Sequence, residues 1–219
     1  MDIEKIIEDV KKKNTLNREA YVALFLDDYQ NICFGLAVKL RNCISINVYD
    51  ASKNCLGYIH FSKFTDSVTC LDVIYTYHDN RGQGIGKQMN NLMNYFLKED
   101  TCKFIYGSYD PQQLSDDKKN GIFCSTEELE SRARYFYEKN GFKIVDYDEF
   151  YNNSNKYKEL KDDLIKPLVN FGVDEKIIFK KFDREKDYGY KKCGDLLIHE
   201  SLSMLNDKNL EKDIIKISR

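Results

Sequence analysis

Residues 68–97, VTCLDVIYTYHDNRGQGIGKQMNNLMNYFL, read as a strand, a glycine-rich turn and an amphipathic helix, and the rest of the chain is placed around them. Val68, Thr69, Leu71, Val73, Ile74, Tyr75 and Tyr77 put apolar or β-branched side chains on both faces, which suits a strand in mid-sheet. Ile85, Met89, Leu92, Met93, Phe96 and Leu97 recur every three or four residues and make one stripe of a helix. Between them lies RGQGIG, residues 81–86. A strand feeding a helix in this way leaves main-chain N–H groups unpaired at the helix start, where the aligned peptide dipoles amount to roughly +0.5 of a charge. With no Cβ at Gly82, Gly84 and Gly86, a phosphate can approach the main chain. The stretch is either an anion seat, for a phosphate or pyrophosphate, or a tight strand-to-helix turn that holds no ligand.

The surrounding composition narrows the class. A chain of 219 residues has the length for one domain of ordinary size with terminal appendages. Its formal charge of −2, with 32% charged residues of both signs, carries no nucleic-acid signature. MDIEKIIEDVKKKN at the start has no apolar segment of signal-peptide type, and no run approaches about 18 apolar residues, so the expectation is a cytoplasmic protein without a membrane partner. Cysteines 33, 43, 55, 70, 102, 124 and 193 are scattered without a CxxC pair and read as reduced residues, several of them in the core. His60, His78 and His199 are too dispersed for a metal cluster, so no metal is expected.

Taken in order, Ile3, Ile6, Ile7 and Val10 predict a short first helix, followed by mixed residues 16–31 with room for another helical turn. ICFGLAV (32–38), CISINVYD (43–50) and CLGYIHFSKF (55–64) read as strands that form, with 68–77, an antiparallel meander. The helix at 84–98 then crosses back, so the strand KFIYGSY (103–109) should lie parallel to 68–77. A loop follows to residue 124. A helix begins at Ser125 or Thr126 and stops at Asn140-Gly141, and FKIVDYD (142–148) is a strand. YKELKDDLIKPLVNFG is helix-like but interrupted by Pro167, EKIIFKKF (175–182) is a last strand, and the remainder, from Leu196 to Leu205 and from Leu210 to Ile217, reads as a helical tail. The expected fold class is α/β (α+β), with a mixed central sheet in which an antiparallel meander precedes a parallel strand pair, flanked by helices. The expected domains are a helix at 1–19, a core at 20–182 with an insertion at 149–175, and an extension at 183–219.

Two familiar phosphate loops do not fit residues 81–86. GxGxxG would need a small residue where Lys87 stands, and GxxxxGK[ST] would need glycine at Arg81 and a hydroxyl at Gln88. What remains, Arg81-x-x-Gly84-x-Gly86, resembles the acyl-coenzyme A loop of the GNAT superfamily of N-acetyltransferases. ARYFYEKNGFKIV, residues 133–145, resembles the second block of that superfamily, with Ala133, Phe136, Tyr137, Glu138, Lys139, Gly141 and Phe142 in register. The two blocks stand in the superfamily's order, and the resemblance covers about residues 20–182. It departs from the pattern at Glu130, where asparagine is common, and at His78, where proline is usual.

The resemblance implies an N-acetyltransferase that moves an acetyl group from acetyl-CoA to a primary amine by direct attack in a ternary complex. It implies that the pantetheine lies between splayed parallel strands, bonded to main chain near Tyr75, Thr76 and Tyr77. The pyrophosphate would rest on Arg81, Gly82, Gln83, Gly84, Ile85, Gly86 and Lys87. Tyr137 is the implied proton donor to the departing thiolate; otherwise it is one more packed aromatic among 16 tyrosines. A lysine-like amine, pKa near 10.4, needs about 4.6 kcal/mol to be neutral at pH 7, so a base is sought. Asp72 is the one carboxylate within 68–77, on the face of Thr76 by the two-residue period; the alternative is a solvated carboxylate, and Asp110 is a weaker rival. The acceptor, small molecule or protein, is open, and the two additions at 149–175 and beyond 182 are placed either to cover it or to mediate association, a homodimer included. The competing readings are a non-catalytic acyl-CoA-binding or interaction module of the same fold and, with less support, a nucleotide-binding domain.

Overall fold

The computed structural model describes residues 3–13, 19–98, 102–109, 121, 123–146, 149–150, 155–170, 172, 196–200 and 214–217. The chain divides into two compact units, one of residues 1–63, 71–101 and 202–219, the other of residues 64–70 and 102–201.

The first unit is the meander. Helix α1 (Ile3–Lys13) precedes strands β1 (Glu19–Leu26), β2 (Ile32–Leu40), β3 (Cys43–Asp50) and β4 (Cys55–Lys63), and the later part of β5 (Val68–Thr76) lies beside β4. The hairpins pair antiparallel, with Leu24 opposite Phe34, Phe34 opposite Tyr49 and Ile46 opposite Ile59. Helix α2 (Ile85–Lys98) lies over β3 and β4 and turns its predicted stripe inward. Ile85, Met89, Leu92 and Met93 are fully buried, each worth about 1.5–3 kcal/mol of transfer from water. The opposite face carries Ala20, Val22 and Phe34, against which Ile7 of α1 packs.

The second unit contains the parallel pair. β6 (Phe104–Ser108) runs parallel to β5 through the pairs Val68–Phe104, Thr69–Ile105 and Cys70–Tyr106, as the intervening helix requires. Helix α3 (Thr126–Lys139), strand β7 (Lys143–Val145), helix α4 (Lys158–Asn170) and strand β8 (Leu196–Glu200) complete it. β8 is antiparallel to both β6 and β7, so this part of the sheet is mixed. Val68, Val145, Phe150, Tyr157, Leu160 and Ile198 form its core. The residues read as an insertion thus supply core side chains, Tyr157 and Leu160, and Ser67 hydrogen-bonds Asp163 of α4.

Several expectations change. Residues 19–26, within the segment given room for a helical turn, are a strand paired along its whole length with β2, because EAYVALFL can bury its alternating Ala20 and Val22 once a partner is present. Within the segment expected to be a helical tail, the described residues are strands: β8 sits between β6 and β7, and β9 (Ile214–Ile217) pairs antiparallel with β1. Short apolar runs such as LLI carry both periods, and the open positions in the sheet decide between them. Helix α4 continues past Pro167 instead of breaking there. The strand expected at 175–182 lies outside the described residues, as does most of the loop after β6. Among the described residues, cysteines 33, 43, 55, 70, 102 and 124 form no disulfide; Cys33 and Cys102 are buried and Cys43 is exposed.

Candidate active site

The turn after β5 is closed by its own main chain and by a folded-back arginine. Tyr77 donates its amide to Leu56 of β4 (3.0 Å) and accepts from the Asn80 amide (2.9 Å). Arg81 Nε donates to the Thr76 carbonyl (3.1 Å), with the guanidinium 5.7 Å from the Tyr75 ring centre. Gln83 Nε2 donates to the Asp79 carbonyl (2.8 Å). Gly84 has φ +79°, a left-handed conformation that costs other residues about 1–2 kcal/mol. The first hydrogen bond of α2 runs from the Gln88 amide to the Gly84 carbonyl (3.0 Å). The amides of Ile85, Gly86 and Lys87 precede it and have no acceptor within the helix. A helix start normally favours a carboxylate, but this first turn holds none and carries exposed Lys87 instead. That set of groups suits an anion from outside the helix.

The three residues expected to offer main chain to a pantetheine are not equivalent. Tyr77 points its amide at β4, so in an antiparallel pair Thr76 faces its main chain the other way. A methyl built on Gly57 would lie 2.6 Å from the Tyr75 carbonyl oxygen, so β5 approaches β4 closely here. The side chains of β5 also fail to alternate. Asp72 accepts a hydrogen bond from Ser62 (3.2 Å), while Tyr75 packs against Tyr58 with ring centres 5.6 Å apart. Ser62 and Tyr58 share a face of β4, so Asp72 and Tyr75, three residues apart, also share one; the pairing slips by one residue between them, as at a β-bulge. This corrects the placement of Asp72 on the face of Thr76 by a strict two-residue period. Asp72 is exposed, and Asp110 lies outside the described residues.

The β1–β2 turn belongs to the same place. Buried Asp27 accepts hydrogen bonds from the amides of Tyr29 (2.9 Å) and Asn31 (2.8 Å) and from Asn31 Nδ2 (2.9 Å). Burial works to raise the pKa of its carboxyl, but these bonds outweigh it and hold the group below the usual value. The turn so fixed places Asp28 on the glycine loop, its amide donating to the Gln83 carbonyl (3.0 Å). The Asp28 carboxylate faces Gly84, where a Cβ would lie 2.5 Å from Oδ1. The positive φ favours glycine there, and any other residue would also displace the Asp28 carboxylate. Neither Asp28 nor Gly57 carries a sequence signal for these roles; DDYQN reads only as a turn.

Tyr137 belongs to the second unit, near the end of α3. Its surroundings explain most of the block that resembles the superfamily. Asn140 caps the helix, Gly141 takes φ +85°, the Gly141 amide donates to the Glu138 carbonyl (3.1 Å), and the Phe142 amide donates to the Tyr137 carbonyl (3.0 Å). These are the two bonds of a Schellman helix stop, and the Tyr137 and Phe142 rings, 5.5 Å apart, make its apolar contact. Gly141→Ala is therefore expected to cost about 1–2 kcal/mol in denaturant unfolding, and a loss under about 0.5 kcal/mol would show that the left-handed residue is dispensable. Tyr109, whose hydroxyl donates to the Glu130 carbonyl (2.7 Å), packs edge-on to Tyr137. Burial, with a smaller contribution from Tyr109, pushes the Tyr137 phenol up to about 12. Among the described residues no group hydrogen-bonds its hydroxyl, and none form a group of metal-binding side chains. No helix among them is long and apolar enough to cross a membrane.

Residues 44–144 match the family model described as the acetyltransferase (GNAT) domain. A comparison with curated proteins finds no match. Among solved structures, an acetyltransferase of the GNAT family from Staphylococcus aureus Mu50 is 14% identical over 72% of this chain and 67% of its own, with a TM-score of 0.41. The PaiA N-acetyltransferase of Thermoplasma acidophilum, in complex with coenzyme A, is 12% identical over 73% of this chain and 62% of its own, with a TM-score of 0.42. A GNAT family acetyltransferase from Elizabethkingia anophelis with acetyl-CoA bound is 13% identical over 73% of this chain and 77% of its own, with a TM-score of 0.41. The chain spans about two thirds of the length of the first two. The matched segment, residues 44–144, thus resembles a GNAT acetyltransferase domain, and it contains the parallel pair of β5 and β6 and the glycine turn that joins β5 to α2.

Proposed function

We propose that the protein transfers an acetyl group from acetyl-CoA to a primary amine of an acceptor, by direct attack in a ternary complex. The observation that carries this reading is the start of α2: amides at Ile85, Gly86 and Lys87 that precede the first bond of the helix, no acidic side chain of the helix's own first turn, and exposed Lys87. These groups fit a pyrophosphate. Arg81, Gly82, Gln83 and Gly84 shape the seat; Thr76, whose main chain faces away from β4, would bond the pantetheine, flanked by Tyr75 and Tyr77. Acetyl-CoA supplies an activated thioester, and the protein's task is to hold it, exclude water and move protons. Tyr137 would donate its phenolic proton toward the departing sulfur; like any tyrosine it is protonated at neutral pH, and burial raises its pKa further. Asp72, exposed on β5 with the Ser62 hydroxyl on its carboxylate, is the proposed acceptor, directly or through water, of the proton lost by the amine.

The test is release of free thiol from acetyl-CoA by the full chain with polyamines, aminoglycosides, amino acids and peptides offered in turn. Release with one class and not the others is the expected result, together with a rise in Tm on adding CoA but not ATP. No release with any amine, or protection by ATP alone, would overturn the reading.

A further inference from the structure

A carboxylate stands where the proposed coenzyme would place its phosphates. The Asp27 turn is locked by three hydrogen bonds, and the Asp28 amide ties its tip to Gln83. The Asp28 side chain lies against Gly84, one residue before the start of α2, with its oxygens among the nearest atoms to the position a Cβ would take. Asp28 is exposed to solvent. In the absence of ligand this charge complements the positive end of α2. With a diphosphate on the amides at the start of α2 it becomes a neighbouring like charge.

We infer that Asp28 is a resident counter-charge at the coenzyme seat, one that holds down affinity for the polyanionic coenzyme and hastens release of CoA after transfer. The inference rests on the coenzyme reading of residues 81–87. It deepens that reading by assigning a carboxylate 53 residues before Arg81 in the chain (81 minus 28) to the control of binding. The geometry favours this over a merely structural Asp28: the turn is secured by Asp27 and by the Asp28 main chain, and neither needs the Asp28 carboxylate.

The experiment measures CoA affinity and dissociation rate for the full-length protein, Asp28→Asn and Asp28→Ser, each first shown to have the Tm of the parent. Both variants are expected to bind CoA about 3- to 10-fold tighter at low ionic strength, mainly through slower dissociation, from removing one like charge near a diphosphate. The gain should shrink as salt rises from about 0.05 M to about 0.5 M, because exposed charges are screened over that range. 4′-Phosphopantetheine, with fewer charges, should gain less. Unchanged or weaker CoA binding by both variants, with the parent binding CoA normally, overturns the role of Asp28 and leaves the coenzyme seat standing. CoA binding by none of the three overturns the seat and the counter-charge together.

Discussion

Tyr137→Phe is expected to lower kcat by about 100-fold or more, the usual size of a lost proton donor, while CoA affinity stays within about twofold. The substitution isolates the hydroxyl. Phenylalanine keeps the ring, so the contacts with Tyr109, Phe136 and Phe142 remain, and the helix stop needs only the Tyr137 carbonyl. Among the described residues no hydrogen bond is lost from the hydroxyl, so stability should hardly change. The raised pKa has a defined consequence. A phenol near 12 is a weak acid for a sulfur of ordinary thiol pKa, about 8.5, so full transfer in water would be uphill by about 4–5 kcal/mol. In the proposed mechanism a desolvated thiolate would be penalised as well, which narrows this gap, and a hydrogen bond that strengthens as charge develops on sulfur would contribute before transfer is complete. Because burial disfavours the phenolate, the neutral donor persists above the ordinary tyrosine value of 10 and is lost only as pH rises through about 12. The pH–rate profile should therefore show no alkaline limb from Tyr137 below about pH 11. Unchanged turnover in Tyr137→Phe would remove this residue from the mechanism.

Gly57→Ala is expected to lower stability by about 2–3 kcal/mol, or Tm by about 4–12 °C for a chain of this size. The added methyl would lie 2.6 Å from the Tyr75 carbonyl oxygen and 3.2 Å from the Thr76 Cα, both main chain, and 3.2 Å from Met89 Cε. The Met89 methyl can move aside, but the main chain cannot yield without spreading β4 and β5 at the point where their pairing slips. Thr76 would be displaced with it, and so would the carbonyl that holds Arg81. CoA protection should therefore fall further than stability alone accounts for. A Tm within about 1–2 °C of the parent would show that β5 accommodates the methyl and that the close approach is not required.

The meander from β2 to β5, the crossover helix and the parallel pair were legible because each rests on a period within a few residues or on the handedness of a crossover. β1 and β8 were not. Ala20, Val22 and Leu24 alternate, but the adjoining Tyr21, Ala23 and Phe25 blur the pattern until β2 and β9 take the two edges of β1. Leu196, Leu197 and Ile198 fit either period, and only the position between β6 and β7 makes them a strand. The glycine turn was legible as the junction between β5 and α2. Its partner Asp28 was not, because no spacing rule connects a hairpin tip to a helix start so far along the chain.

By itself the sequence determined what local chemistry can determine. Three glycines between a strand and a helix dictate exposed amides, and Asn140-Gly141-Phe142 after an aromatic helix dictates a Schellman stop with Tyr137 at its third position from the end. Only the tertiary structure decided that Asp72 and Tyr75 share a face, that Gly57 leaves room for β5, and that the Asp28 carboxylate stands at Gly84. Periods and caps act over one or two turns of chain. Pairing slips and close approaches are fixed by which distant segments must share a core, and that is settled by burial across the whole unit.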